Sequence, residues 1–168
     1  MSDRMRGKSV LVVDDEDAVR GAVGWALTKY GYDVVEAATG QDALAKATQQ
    51  RFDAAILDIR MPEMTGFDVM HALRRMSPET VLLILTAMPD PDSRFGELTK
   101  TAGVYAYLRK PCKAEELRTA LEDALAGSEP VGGLAMAQEQ GSGTDYSTGL
   151  SGHHLSEGSS ASRRSLKH

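Results

Sequence analysis

Five short apolar runs, each followed by a stretch with helical spacing, constrain what this chain can fold into more than any other feature. The first run, Ser9-Val10-Leu11-Val12-Val13, is apolar without alternation, the pattern of a strand covered on both faces. After it, Val19, Val23, Ala26, Leu27 and Tyr30 share one face of a predicted helix over 17–30, and Gly31 is placed to end it. Gly21 and Gly24 each weaken that helix by about 1 kcal/mol relative to Ala. Further strands are predicted at 32–36, 53–57, 80–85 and 104–108. A second helix opens at Thr39 or Gly40 and carries Ala43, Leu44 and Ala47. A third, over 67–76, carries Phe67, Met70 and Leu73, and a fourth is expected over about 92–102. The last, over 113–126, turns Leu117, Ala120, Leu121, Ala124 and Leu125 inward, with Gly127 past its end.

Strands alternating with helices imply an α/β protein. The expectation is a five-stranded parallel sheet, order 2-1-3-4-5, right-handed in its connections and doubly wound with five helices in the flavodoxin-like manner. The 168 residues suffice for one domain with a real core. Composition changes at Gly127: beyond it Gly and Ser are frequent and no period persists. The expected organisation is a flexible N-terminus over 1–8, a folded domain over 9–127 and a flexible Gly/Ser-rich tail over 128–168. There is no span-length apolar run and no apolar signal-peptide stretch in MSDRMRGKSV. Cys112 is the sole cysteine, so no internal disulfide forms, and a cytoplasmic location is expected. A net charge of -5 and a pI of about 5.4 argue against direct DNA binding.

In open α/β sheets, ligands bind beyond the carboxyl ends of the strands, where the strand order reverses. Strand one ends in Asp14-Asp15, strand three in Asp58, strand four in Thr86 and strand five in Lys110-Pro111. Each has a plain reading alone: Asp14-Asp15-Glu16 as a helix start, Asp58 as a turn before Met61-Pro62, Thr86 as a strand residue, Lys110 as a solvated charge. Together they suit one chemistry. Three close carboxylates resist full ionisation unless a hard cation such as Mg²⁺ joins them. Lys110 can pair with a phosphoryl group, Thr86 can donate a hydrogen bond to it, and Asp58 can accept it as an aspartyl-phosphate.

The segments VLVVDDED, LDIRMPEMTGFDVM, LLILTA and AYLRKP resemble, in order, the motifs of the two-component response-regulator receiver domain over about residues 7 to 127. The resemblance implies a phosphorylation-dependent signalling switch rather than a metabolic enzyme, one that catalyses only its own phosphorylation and dephosphorylation. It implies that Asp58 accepts phosphate from a sensor histidine kinase or a histidine phosphotransfer protein. Asp14, Asp15, Asp58 and the backbone carbonyl of Arg60 would hold Mg²⁺. Thr86 and Lys110 would contact the phosphoryl group, Tyr107 would follow Thr86 as an aromatic switch, and the Lys110–Pro111 bond would be cis. Lacking a second folded domain after Gly127, the chain is expected to act through protein contacts, as a stand-alone receiver does.

The segment AMPDPDSRFGELT, with Pro89 and Pro91, is longer than usual for that family. Cys112 stands where an aromatic is common and reads as a small buried hydrophobe rather than a redox sensor. Trp25 lies off the apolar face of the first helix, either as a partner contact or lying flat over its own helix. His71 reads as a surface or partly packed residue of the third helix, and His153-His154 lack companion ligands. Arg60 and Met88 flank the water approach in the family, and both are expected to slow loss of the phosphoryl group. Two other functions compete. An aspartate-nucleophile phosphatase would need an acid two residues after the nucleophile, where Arg60 stands. A flavodoxin-like cofactor binder would need a phosphate cradle where Asp14-Asp15-Glu16 stands.

Overall fold

The structure is a computed structural model describing residues 5–87 and 103–127. Strands β1 (Ser9–Val13), β2 (Asp33–Ala37), β3 (Ala54–Leu57), β4 (Val81–Thr86) and β5 (Val104–Arg109) form one sheet in the order β2-β1-β3-β4-β5. All four pairings are parallel. Among the described residues there are four helices, α1 (Asp17–Lys29), α2 (Gly40–Gln49), α3 (Gly66–Met76) and α4 (Ala114–Leu125). The helix expected over 92–102 lies outside the described residues, as do Met88, Pro89, Pro91, His153, His154 and the tail over 128–168.

The period of two along each strand divides the core. Leu11 and Val13, Ala55 and Leu57, and Leu82 and Ile84 pack beneath Ala43 of α2 and Val69, Met70 and Leu73 of α3. Val10 and Val12, Ala54 and Ile56, and Leu83 and Leu85 pack beneath Leu27 of α1 and Leu117, Leu121 and Ala124 of α4. A central strand with apolar residues on both faces reads as an unbroken run, which is why 9–13 shows no alternation. Full burial of each large aliphatic side chain contributes about 1.5–3 kcal/mol, so these layers dominate the stability.

Element ends differ from the sequence expectation by about one residue, as helix and strand ends usually do. Tyr32 was expected to open the second strand; it precedes β2 and lies buried in the α1/α4 layer. Of the residues placed before the domain, 5–8 are tied to it. Met5 packs on the α1/α4 layer, Gly7 N–H donates to Gly31 O at 2.9 Å, and Lys8 Nζ donates to Asp53 Oδ1 at 2.9 Å. The β4–β5 register shifts between Leu82, opposite Val104, and Leu83, opposite Ala106. Tyr105 is thereby an extra residue on β5.

Trp25 on α1 is 63% exposed, and the Lys29 ammonium lies 3.9 Å from the centroid of its ring. His71 is exposed. No helix among the described residues is long and apolar enough to cross a membrane.

Candidate functional site

The carboxyl ends of β1, β3, β4 and β5 meet at one rim, and each delivers one polar side chain there. Asp58 follows β3, and its N–H donates to Val13 O at 2.9 Å, continuing the β1–β3 ladder one residue past the strands. Asp14 follows β1 and is held in the same way, its N–H donating to Ala37 O at 3.2 Å. Lys110 follows β5 and donates its N–H to Thr86 O at 2.8 Å. Rigid strand backbone, rather than loop, therefore sets where these side chains begin. Asp14 is 3% exposed, Asp58 4% and Thr86 not at all.

Lys110 Nζ lies at the centre of the group. It is 2.6 Å from Asp14 Oδ2, 3.1 Å from Asp58 Oδ2 and 3.2 Å from Glu16 Oε1. Asp14 Oδ1 also accepts from Glu16 N–H at 2.9 Å, and Asp58 Oδ1 from Arg60 N–H at 3.2 Å. Burial pushes the Asp14 carboxyl above its ordinary value, opposed by Lys110 and the Glu16 amide and aided by the charge of Asp58. Burial also works against the Lys110 charge, but the hydrogen bonds to Asp14 and Asp58 outweigh it and raise its pKa. The ammonium is thus charged at all ordinary pH values and partly neutralises a buried acidic cluster.

Asp14, Glu16 and Asp58 each offer one oxygen, all within 4.8 Å of one another. Hard oxygen donors crowded in this way suit a small divalent cation such as Mg²⁺. Glu16 was not singled out in the sequence. It occupies the N-cap of α1 but makes no capping hydrogen bond with its side chain, which turns to Lys110 instead. Glutamate is a poor N-cap residue, and that mismatch was the available signal. Asp15 is exposed and lines a hollow of about 300 Å³ together with Glu16, Asp58, Arg60, Thr86 and Ala87. The geometry thus brings Asp14, Asp58 and Lys110 into direct contact and places Asp15, Arg60 and Thr86 around the same opening. Met88 lies outside the described residues.

Tyr107, on β5, is half-buried against the α2/α3 layer, one strand over from Thr86. The Lys110–Pro111 peptide is cis. Cys112 is half-buried, and its thiol is pushed up to about 11 by burial and by the Glu116 carboxylate beside it, so it remains protonated. That environment fits a small packed side chain, not a reactive thiolate.

The loop after Asp58 is anchored at both ends. Ile59 and Met61 are buried, Gly66 N–H donates to Ile59 O at 3.0 Å, and Thr65 and Asp68 form a reciprocal capping box at the start of α3. Gly66 is required by closeness rather than by turning. A Cβ there would collide with the main-chain oxygen of Asp58 and lie 2.8 Å from its carbonyl carbon and 2.9 Å from Ile59 Cα. Backbone cannot yield as a flexible side chain does, so Gly66→Ala should cost about 3 kcal/mol, the upper end for overpacking. Urea unfolding of the variant against the wild type measures it, and a loss within error of zero would show that the loop yields freely.

Residues 10–122 match the family of response regulator receiver domains. The probable transcriptional regulatory protein TcrX of Mycobacterium tuberculosis is 40% identical over 109 residues, covering 65% of this chain and 46% of that protein. The transcriptional regulatory protein ZraR of Salmonella typhimurium is 34% identical over 129 residues, covering 76% of this chain and 29% of its own length. The chain therefore spans less than half the length of these two relatives. Among solved structures, the chemotaxis protein CheY4 of Vibrio cholerae superposes with a TM-score of 0.66 at 38% identity, covering 70% of this chain and 98% of that one. The response regulator TrrA of Thermotoga maritima, solved in complex with Mg²⁺ and BeF, gives a TM-score of 0.62 at 30% identity, covering 70% and 98%.

Proposed function

The chain belongs to the response regulator receiver domain family, whose members are phosphorylation-dependent response regulators, and from that premise we propose that Asp58 is its phosphoacceptor. The observation that carries this reading is the convergence of Asp58, Lys110 and Thr86 with the Asp14 and Glu16 carboxylates on one rim, opening on a hollow. An oxygen of Asp58 attacks the donor phosphorus, the bond to the donor's leaving group breaks, and the leaving group departs with its electron pair and takes up a proton. Lys110 holds an ammonium against the phosphoryl oxygens, and the Thr86 hydroxyl donates a hydrogen bond to one of them. Mg²⁺, when held by oxygens of the acidic cluster with Asp15 and the Arg60 carbonyl as further candidates, would offset the negative charge of the phosphoryl group. Thr86 and Tyr107 are the pair we assign to reporting the phosphate.

The natural phosphodonor on this reading is a histidine kinase or a histidine phosphotransfer protein in the cytoplasm. Trp25 is a candidate contact for it, and output runs through protein contacts rather than DNA. The alternatives lack their chemistry. Arg60 stands where an aspartate-nucleophile phosphatase needs an acid, and the acidic end of β1 would repel a flavin phosphate.

The test is incubation with a small acyl phosphate and Mg²⁺, followed by intact mass. The protein should gain one phosphoryl mass, labile to base and absent when the metal is chelated; no gain would overturn the reading. We place the phosphoacceptor unit in residues 9–127, so a chain ending at Gly127 should take up the label as the full chain does.

A further inference from the structure

We propose that Arg20 is a positioning residue for the acidic end of β1, an inference that rests on reading that end as a Mg²⁺ site. Arg20 lies one turn into α1, with its side chain only 15% exposed. Its guanidinium joins three acceptors from three different segments. Nη1 donates to the main-chain oxygen of Asp14 at 2.9 Å, and Nη2 to Asp17 Oδ1 at 2.6 Å. Nε lies 3.4 Å from Glu36 Oε2 on β2. None of these bonds goes to a carboxylate oxygen of Asp14, Glu16 or Asp58. The contact with Asp14 is made through the backbone.

That backbone oxygen is the important one. It belongs to the peptide unit joining Asp14 to Asp15, and a peptide unit is planar. Fixing its oxygen fixes the direction in which the chain leaves Asp14, and with it the starting points of the Asp15 and Glu16 side chains relative to Asp58. The bond between Glu16 N–H and Asp14 Oδ1, at 2.9 Å, closes the same short loop from the other side. Arg20 therefore acts on the cluster through main-chain geometry and not through charge pairing.

A second observation makes Glu36 part of the device. One turn beyond Arg20 stands Gly24. A Cβ at that position would collide with the Glu36 carboxylate, lying 3.2 Å from its Cδ. The missing side chain lets Glu36 lie against the helix and reach Arg20. Lys46 Nζ donates to Glu36 O at 2.6 Å and steadies β2 at the same residue. A glycine that weakens the helix by propensity thus makes room for an anchor of the arginine. Lysine cannot replace Arg20, because an ammonium is a point charge and lacks the planar fork that spans divergent acceptors.

The test uses the full chain and three measurements: Mg²⁺ affinity by titration calorimetry, the thermal midpoint without metal, and the Mg²⁺ concentration giving half-maximal labelling by an acyl phosphate. In Arg20→Lys, Mg²⁺ binding should weaken roughly tenfold, as is typical when a residue supporting metal ligands is lost. Half-maximal labelling should need correspondingly more Mg²⁺, while the rate at saturating Mg²⁺ returns to within about twofold of the wild type, as for a loss confined to binding. Glu36→Gln keeps the shape and weakens only one anchor, so it should move affinity in the same direction by a smaller factor; it decides the matter if Arg20→Lys does not fold. Unchanged Mg²⁺ affinity, with or without a lower midpoint, would make Arg20 merely structural and overturn the inference. No Mg²⁺ binding by the wild type would instead overturn the functional reading, and the inference with it.

Discussion

Asp58→Asn should take up no phosphoryl group under conditions in which the wild type gains one. The substitution preserves shape. An Asn amide oxygen can still accept from Arg60 N–H, now at 3.2 Å from Asp58 Oδ1, so the loop should keep its path. What is lost is the anionic oxygen that attacks phosphorus, and an amide does not replace it. The question is whether a neighbouring carboxylate takes over, since Asp14 and Glu16 offer oxygens within 4.8 Å of Asp58. The geometry argues against Asp14. Its oxygens are held much as those of Asp58 are, but Asp58 lines the hollow and Asp14 does not. Glu16 and Asp15 do line the hollow, but they are exposed and spring from the start of a helix, without a strand to fix them. The measurement is intact mass after donor and Mg²⁺, with peptide mapping of any residue that is labelled. Labelling of the variant at the wild-type level would remove Asp58 from its assigned role.

Lys110→Met should separate metal binding from phosphorylation. The ammonium joins the buried Asp14 and Asp58 carboxylates and reaches the exposed Glu16, and removing one partner of a buried ion pair typically costs about 3 kcal/mol or more. The loss should depend on pH in a defined direction. Asp14 is already raised above the ordinary value of 3.8 by burial, so its contribution to stability is fully present below that value and fades as pH rises through its folded pKa. Without Lys110 its pKa rises further. The deficit of the variant should therefore be largest at neutral pH and shrink on acidification, as the Asp14 carboxyl becomes neutral. Added Mg²⁺ should restore stability at neutral pH, and it should bind the variant more tightly than the wild type, since Lys110 competes for the same oxygens. Labelling should nevertheless fall, because the phosphoryl oxygens lose their ammonium partner. Thermal midpoints across pH, with and without Mg²⁺, check the first half, and labelling rates check the second. Weaker Mg²⁺ binding in the variant would mean that Lys110 holds the site open instead of competing for it.

Much of this was legible in the residues. Unbroken apolar runs at 9–13 and 80–85 marked interior strands, and the rule that ligands sit beyond strand ends led to Asp14, Asp58, Thr86 and Lys110. These positions are readable because a strand's end is a fixed point in space. Less readable were contacts made by long side chains across elements. Glu16 looks like the start of a helix, and only the fold shows it meeting Lys110, distant in sequence. Gly24 looks like a flaw in a helix until Glu36 is seen beside it. Gly66 looks like a turn residue, whereas its absent side chain makes room for the backbone of Asp58. Arg20 gave no signal, because an arginine on a helix is ordinarily a solvated charge.

The extra residue in β5 is the least visible feature, since Val104 to Leu108 reads as one uninterrupted strand. Its effect is a change of phase. Val104 packs on the α2/α3 side, and Tyr105 and Ala106 both pack on the α1/α4 side. Alternation then resumes, returning Tyr107 to the α2/α3 side and Leu108 to the other. Along β4 the same alternation puts Thr86 on the side of Leu82 and Ile84, which is also the α2/α3 side. In strict parity from Val104, Tyr107 would look out from the opposite side of the sheet, with the backbone between it and Thr86. A single skipped beat near the far end of two paired strands therefore decides that the hydroxyl and the aromatic ring share one side of the sheet, which the relay proposed for them requires.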